Sequence, residues 1–294
     1  MNTCSIRNTR YRGSSPFMFC YHRITVYAAN PTFTEYNRPM KSEFQYYKEL
    51  LWSMTEKELR ARYKYTFLGF LWLVINPVLQ MLVIGFIFTF FIKQPIAHYY
   101  FHLFIGLLIW NFFSISLSKT TPSIVNEREL IKKSKFPRSI IPLSIILSNF
   151  IHLILGMLLF VIPVLFIHTV SLHTIPATIA GFVLLLAFTT GLSLLTSALN
   201  VRFRDVNFII QALLIVWFYA TPIIYTFSFI PHLYIWFWRI NPMTSIVQLF
   251  QYAFLDADAP GPAMLAMNIF IIICISIIGV KVFRKESKNF DDWV

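Results

Sequence analysis

The side chains able to do chemistry in this chain sit in a few short segments, and none of these has the spacing of a reaction centre. One segment, KTTPSIVNERELIKKSKFPRS over residues 119–139, carries Glu127, Arg128 and Leu130 at its middle. Another holds Arg202, Arg204 and Asp205 within four positions. His98 and His102 are four apart, a helical spacing that would suit two metal ligands but is more simply packing, and Asp256 and Asp258 read as part of a solvated loop. There is no H-E-x-x-H, no G-x-S-x-G and no close pair of acids, so no catalytic residue and no metal site is expected. None of the nine glycines precedes a lysine, which excludes a phosphate-binding G-x-x-x-x-G-K-[ST] loop. Cys4, Cys20 and Cys274 offer neither a disulfide framework nor metal spacing.

The elements that carry these segments are set by hydropathy. Six runs, Phe67–Ile92, Tyr99–Ser118, Ser139–His168, Thr174–Asn200, Val206–Ile230 and Ala263–Val280, contain no Asp, Glu, Lys or Arg. A helix of about 20 residues at about 1.5 Å each crosses a hydrocarbon layer of about 30 Å, so each run is long enough to span, the sixth only just. Mean hydropathy of +0.63 and 57% hydrophobic residues agree. The net charge of +12 has a position as well as a size. With both termini cytoplasmic, only Lys93 and Arg239 of the 25 Lys and Arg face the outside, the asymmetry that orients membrane proteins. Those charges flank spans without any nucleic-acid motif, so nucleic acid is excluded as a partner. The expected fold is an all-α integral membrane protein with six transmembrane helices, N-in and C-in, in the cytoplasmic (inner) membrane.

Four regions follow. Residues 1–41, with Arg7, Arg10, Arg12 and Arg23 ahead of the first acid and no helical period, read as a disordered or accessory tail. Residues 42–66 begin with Ser42 and Gln45 as a capping box and place Tyr47, Leu50, Leu51 and Met54 at helical spacing, predicting an amphipathic interface helix whose later basic residues face anionic lipid. Residues 67–283 form the membrane domain and 284–294 a cytoplasmic tail. In the 119–139 loop, Thr121 as cap and Pro122 at the first position predict a short cytoplasmic helix ending before Pro137, with Ile124, Val125 and Leu130 available for docking and Glu127 and Arg128 for charge matching. The apolar but proline-broken segment Pro231–Pro262 predicts two short re-entrant helices hinged at Asn241-Pro242.

The apolar runs also lack the ionisable groups that carriers driven by proton or sodium gradients place near the bilayer midplane. With no nucleotide site of its own, the chain must take its energy from a separate ATPase. Its residues resemble the membrane subunits of ABC-type polysaccharide exporters for O-antigen, capsule or teichoic acid. The resemblance rests on Arg60-Ala61-Arg62-Tyr63, Leu68-Gly69-Phe70-Leu71-Trp72 with Asn76-Pro77, Phe136-Pro137-Arg138, the stretch Leu199-Asn200-Val201-Arg202-Phe203-Arg204-Asp205-Val206, Thr221-Pro222-Ile223-Ile224-Tyr225, and Asn241-Pro242-Met243, and covers residues 44–294. It implies a permease, not an enzyme: a homodimer docked on nucleotide-binding subunits that hold ATP and magnesium, moving a lipid-linked polysaccharide, with no cofactor bound by this chain. It also implies the interface, coupling and re-entrant helices already read from the residues.

Aromatics make up 18% of the chain and could form a shallow, repeated path for sugar rings, with Trp110, Phe113, Trp217, Tyr219 and Tyr225 as candidate lining. Arg202, Arg204 and Asp205 are candidates for a cytoplasmic gate. A drug or small-lipid exporter permease is the alternative within the same fold family, and a membrane-embedded glycan-modifying transferase the alternative outside it.

Overall fold

The computed structural model describes residues 43–64, 71–91, 99–133, 136–165, 174–226, 233, 235–255 and 257–290. The tail, Ser42 of the capping box, Leu68, Gly69, Phe70, Lys93, His98 and Asp256 lie outside the described residues. Among the described residues every regular element is helical. In chain order they are α1 (Glu43–Tyr63), α2 (Trp72–Phe91), α3 (Tyr99–Thr120), α4 (Ser123–Asn126), α5 (Arg128–Lys133), α6 (Ile140–Leu165), α7 (Ile175–Arg202), α8 (Asp205–Tyr219), α9 (Ile235–Ile240), α10 (Pro242–Leu255) and α11 (Pro262–Glu286), followed by one 3-10 turn, Ser287–Asn289.

Among the described residues, four helices are long and apolar enough to cross a membrane: Tyr99–Thr120, Ile140–Ile162, Ile175–Arg202 and Pro262–Asn289. Two of the six expected spans are shorter as apolar helices, Ile75–Phe90 and Asp205–Tyr219. The second of these departs most from the hydropathy reading. Its run extends to Ile230, yet the helix stops at Tyr219, a length of about 22 Å at about 1.5 Å per residue. Pro222 supplies no N–H to continue the ladder, and the Thr221 hydroxyl turns back to donate to the Trp217 carbonyl oxygen at 2.9 Å.

α3 is the axis of the bundle. It is apolar on every side, and most of its residues from Tyr99 to Thr120 are buried, because α2, α6, α7, α8 and α10 all pack around it. A first core gathers α3 with Leu153, Phe188, Leu214, Ile223, Val247 and Phe250. A second, smaller core lies where the C-terminal ends of α7 and α11 meet the start of α6, and it joins Met54, Ile124, Ile131, Ile140, Leu194 and Phe283. The closest helix pair is α7 with α11. A methyl group on Gly279 would stand 2.0 Å from the Gly191 carbonyl oxygen, so glycine is needed for the approach. Small residues permit such crossings in lipid, where apolar side chains gain little by leaving the hydrocarbon for each other. The Ser276 hydroxyl donates to the Ala187 carbonyl oxygen at 3.0 Å across the same seam.

The pair of short helices expected near Asn241-Pro242 is present, with its break at Asn241. α10 is buried along most of its length against α3 and α7, from Pro242 to Gln251 and at Ala253. α9 has no buried residue.

Candidate functional site

The 119–139 loop folds differently from the single capped helix expected of it. The Thr121 hydroxyl donates to the Leu117 carbonyl oxygen at 2.8 Å and shares a hydrogen bond with the Thr196 hydroxyl at 3.0 Å, so it ties α3 to α7 instead of capping a new helix. Pro122 occupies the cap position of α4 without a side-chain bond. The loop is then two short helices that break at Glu127. Ile124 is fully buried in the second core and Leu130 packs against it, so these two apolar residues serve the chain's own packing before any docking. Arg128 is exposed, 3.8 Å from Glu129. The hydrogen bond from Lys133 at 3.1 Å, its charge, and the nearby Arg128 and Lys132 hold the Glu129 carboxyl below the ordinary carboxylate range.

Glu127 is half-buried and faces inward. Lys57 of α1 donates to it at 2.7 Å. A pocket of about 310 Å³ opens beside this pair, lined by Lys57, Glu58, Lys119, Asn126, Glu127 and Ser144. The two cations are matched by two anions, so the pocket presents mixed polarity and no anion trap.

α1 is packed on the bundle and not merely laid beside it. Met54 and Thr55 are buried, and the helix lies along α6. The basic face expected to meet lipid is partly turned inward. The Arg62 guanidinium donates to the Asn149 side-chain oxygen and lies 2.9 Å from His152 Nδ1. Asn149 in turn donates to the Ser116 hydroxyl of α3 at 3.0 Å. Hydropathy finds no charge within any apolar run, yet the fold brings one from outside. Asn149 lies about 14 Å along α6 from Ile140, at about 1.5 Å per residue. The available signal was Asn149 and His152 three apart on an apolar helix, a shared face with two polar groups.

At the α7–α8 turn, Arg202, Arg204 and Asp205 are all exposed. Arg202 lies over the Phe203 ring at 5.3 Å, and Asp205 opens α8, where a carboxylate faces the helix N-terminus favourably. The turn is open for contact with another surface.

The aromatic candidates divide. Phe113 is fully buried, stacked on Phe188 at 5.4 Å and edge-on to Trp217 at 5.3 Å, and therefore lines no path. Its ring sits on the helix that all the others surround. Trp217 packs on the same cluster and donates its indole N–H to the Asn241 oxygen at 2.9 Å. The Tyr225 hydroxyl donates to the Tyr219 carbonyl oxygen at 2.7 Å and accepts from the Trp238 indole at 2.8 Å, which makes it a clasp between the α8 end and α9. Tyr219 is exposed, and Trp110, itself buried in the first core, shows only an edge beside it. With Gln80, Ile84, Asn111 and Phe218 they line a groove of about 370 Å³ between α2, α3 and α8. Asn111 donates to the Gln80 side-chain oxygen at 3.1 Å, so the groove pairs aromatic faces with a bonded amide couple. Gln80 and Asn111 were legible as lone amides in apolar runs, but their pairing was not.

Asn241 satisfies both ends of its amide. Its oxygen accepts from Trp217 and from the Met243 backbone N–H at 3.1 Å, capping α10 ahead of Pro242. Its nitrogen donates to the Ala220 carbonyl oxygen at 3.1 Å and the Thr221 hydroxyl at 3.0 Å. The Thr221–Tyr225 and Asn241–Met243 segments thus dock on each other. His102 is buried and hydrogen-bonded to Gln251 of α10 at 3.0 Å, an interhelical contact. Asp258 is exposed. Among the described residues no group of His, Cys, Asp and Glu could hold a metal ion.

Comparison with known proteins gives this geometry a family. The family model described as ABC-2 type transporter matches residues 49–255. The O-antigen export system permease protein RfbA of Myxococcus xanthus is 32% identical over 254 residues, covering 84% of this chain and 96% of the relative. Two proteins of the same name from Klebsiella pneumoniae are 32% and 31% identical over 256 and 258 residues, each covering 85% of this chain and 97% of the relative. The matched region runs from the inward-turned half of α1 through the 119–139 loop, the α7–α8 turn and the groove to the end of α10, so the chain belongs to the ABC-2 type transporter family, as a multi-pass transport subunit of the cytoplasmic membrane.

Proposed function

We propose that the chain is the permease subunit of an ATP-driven exporter that moves a lipid-linked, O-antigen-like polysaccharide across the cytoplasmic membrane. The observation that carries this reading is the similarity to O-antigen export permeases along nearly their whole length. Two copies form the transport unit, and each rests on a nucleotide-binding subunit that holds ATP and magnesium. This chain binds no cofactor. Six segments cross the bilayer with both ends cytoplasmic. That orientation is favoured because Lys57, Lys119, Arg138, Arg202 and Arg284 gather at one end of the bundle, where the Arg138 guanidinium donates to the Ser287 carbonyl oxygen at 3.1 Å. The basic end carries the α4–α5 loop toward the ATPase. Arg128 and the exposed Arg202–Asp205 turn are its contact candidates.

The groove suits a sugar polymer for physical reasons. Sugar rings present apolar C–H faces to Trp110, Phe218 and Tyr219, and their hydroxyls can exchange with the Gln80–Asn111 couple. Contacts of this kind are shallow and repeat along a polymer, so no single site holds it fast. The test is deletion of the chain in its own cell. Lipid-linked glycan is then expected to accumulate in the cytoplasmic leaflet, and complementation should restore surface glycan only when the ATPase partner is present. Surface glycan unchanged by deletion would overturn the proposal, as would transport by the purified chain driven by an ion gradient alone.

A further inference from the structure

The coupling loop and the transport groove are joined by the same helix, α3, and the chain between them is poorly built to carry force. The helical ladder is interrupted at Thr121–Pro122 and again at Glu127, so α4 and α5 are two short pieces on two joints. A push on the loop would bend these joints before it moved α3, unless a brace resists. α1 provides one.

We propose that α1 is a lever that carries motion of the coupling loop into the membrane sector through two contacts, an adjustable one, Lys57–Glu127, at the loop and a firm one, Arg62–Asn149, at α6. The inference rests on the ATPase-coupled reading above and adds residues to it. At the first point the Lys57 ammonium donates to Glu127 at 2.7 Å, seventy positions along the chain, at the break between α4 and α5. At the second, the Arg62 guanidinium reaches Asn149 and His152 of α6, and Asn149 passes the link to Ser116 of α3. Ser116 is five residues from Asn111 in the groove on the same helix. The body of the lever is held by Met54 in the second core and by the fully buried Thr55.

The chemistry of the two joints suits their places. The Lys57–Glu127 pair is partly solvated, with side chains 41% and 29% exposed, so it adds little to stability and can re-form as the loop moves. Arg62 donates its planar fork to neutral acceptors in a part-buried site, where charge-assisted hydrogen bonds are strong and lysine is a poor substitute. One joint yields and the other grips. Both are positioning residues, with no contact to substrate.

The experiment uses the full chain co-expressed with its ATPase partner and reads export, as surface-displayed glycan, against ATP hydrolysis by the purified complex. Lys57→Glu and Glu127→Lys are each expected to lower export per ATP hydrolysed by about fivefold, within the range by which residues along a coupling network change linkage. The double swap Lys57→Glu with Glu127→Lys should return the ratio to within about twofold of the original, which a merely structural role at either residue would not produce. Arg62→Lys, which keeps the charge but not the fork, is expected to fall with the single reversals. If a reversal fails to insert, Lys57→Gln and Glu127→Gln read the same ratio without placing like charges together. Unchanged ratios in the single variants, or a double swap no better than either single, overturn the lever. An original complex that shows no partner-dependent hydrolysis or export instead overturns the exporter reading, so the two failures are distinct.

Discussion

Asn241 and Phe113 illustrate how a side chain's role depends on what surrounds it. Asn241 uses its amide oxygen for two donors and its nitrogen for two acceptors, in a joint where the α8 end, the following turn and α10 meet. Removing it strands the Trp217 indole N–H and the Met243 amide together, and a buried donor left without a partner costs about 1–3 kcal/mol. Asn241→Ala is therefore expected to lower the unfolding free energy by about 2–4 kcal/mol, measured by tryptophan fluorescence during denaturant titration in detergent, while Asn241→Asp, which keeps the acceptor, should lose less. Phe113 and Tyr219 are both aromatic and both on apolar helices, yet only Tyr219 meets open space. Phe113→Ala should cost about 3–5 kcal/mol of stability as a core cavity. Tyr219→Ala should leave the unfolding midpoint nearly unchanged and slow export, checked by the rate of surface glycan appearance. A Tyr219→Ala protein with normal export would remove that ring from the path.

Between elements, the α7–α11 seam is the tightest constraint. The Gly279 position admits no methyl group because the Gly191 backbone is already in contact, and backbone cannot move aside as a flexible side chain can. Gly279→Ala is expected to force the helices apart at a cost of about 1–3 kcal/mol and to lower the thermal unfolding midpoint in detergent. Gly261→Ala is the internal control: nothing lies within 4 Å of the added methyl, and the midpoint should hold. The amphipathic period of α1 was readable from Tyr47, Leu50, Leu51 and Met54, but which basic residues turned inward was not. Lys57 and Arg62 lie five positions apart, about 140° around the helix at about 100° per residue, and local pattern assigns neither a partner. Thr121 misled for a related reason. Its position suited a cap, but the hydroxyl turns back to the Leu117 carbonyl and meets the Thr196 hydroxyl of α7, so none of it is left for the next helix.

At the scale of the molecule, the basic end and the α9–α10 end differ in charge density, and their placement across the bilayer is directly measurable. In a background without the native cysteines, Asp258→Cys is expected to react with a membrane-impermeant maleimide in intact spheroplasts, and Lys132→Cys only after the membrane is opened. Labelling of both residues from outside would contradict the orientation. The inventory of apolar runs, an absent phosphate loop and Lys and Arg concentrated in alternate loops is additive along the chain. A bilayer responds to those sums through transfer free energies of contiguous segments, so they are decided before any packing occurs.

For that reason the amino-acid sequence alone determined that this is an α-helical membrane protein with its Lys and Arg concentrated in alternate loops, that it carries no G-x-x-x-x-G-K-[ST] phosphate loop, and that short helices meet near Asn241-Pro242. The tertiary structure alone decided that α8 stops short at Tyr219, that Phe113 is core while Tyr219 borders a groove, and that Glu127 is held by Lys57. It also brought Arg62 to Asn149 and His152, almost ninety positions away. Such contacts depend on how helix faces pair in three dimensions. Hydropathy records only that a face is apolar, and many pairings of equally apolar faces satisfy it until glycine seams, amide caps and a few buried polar groups select one.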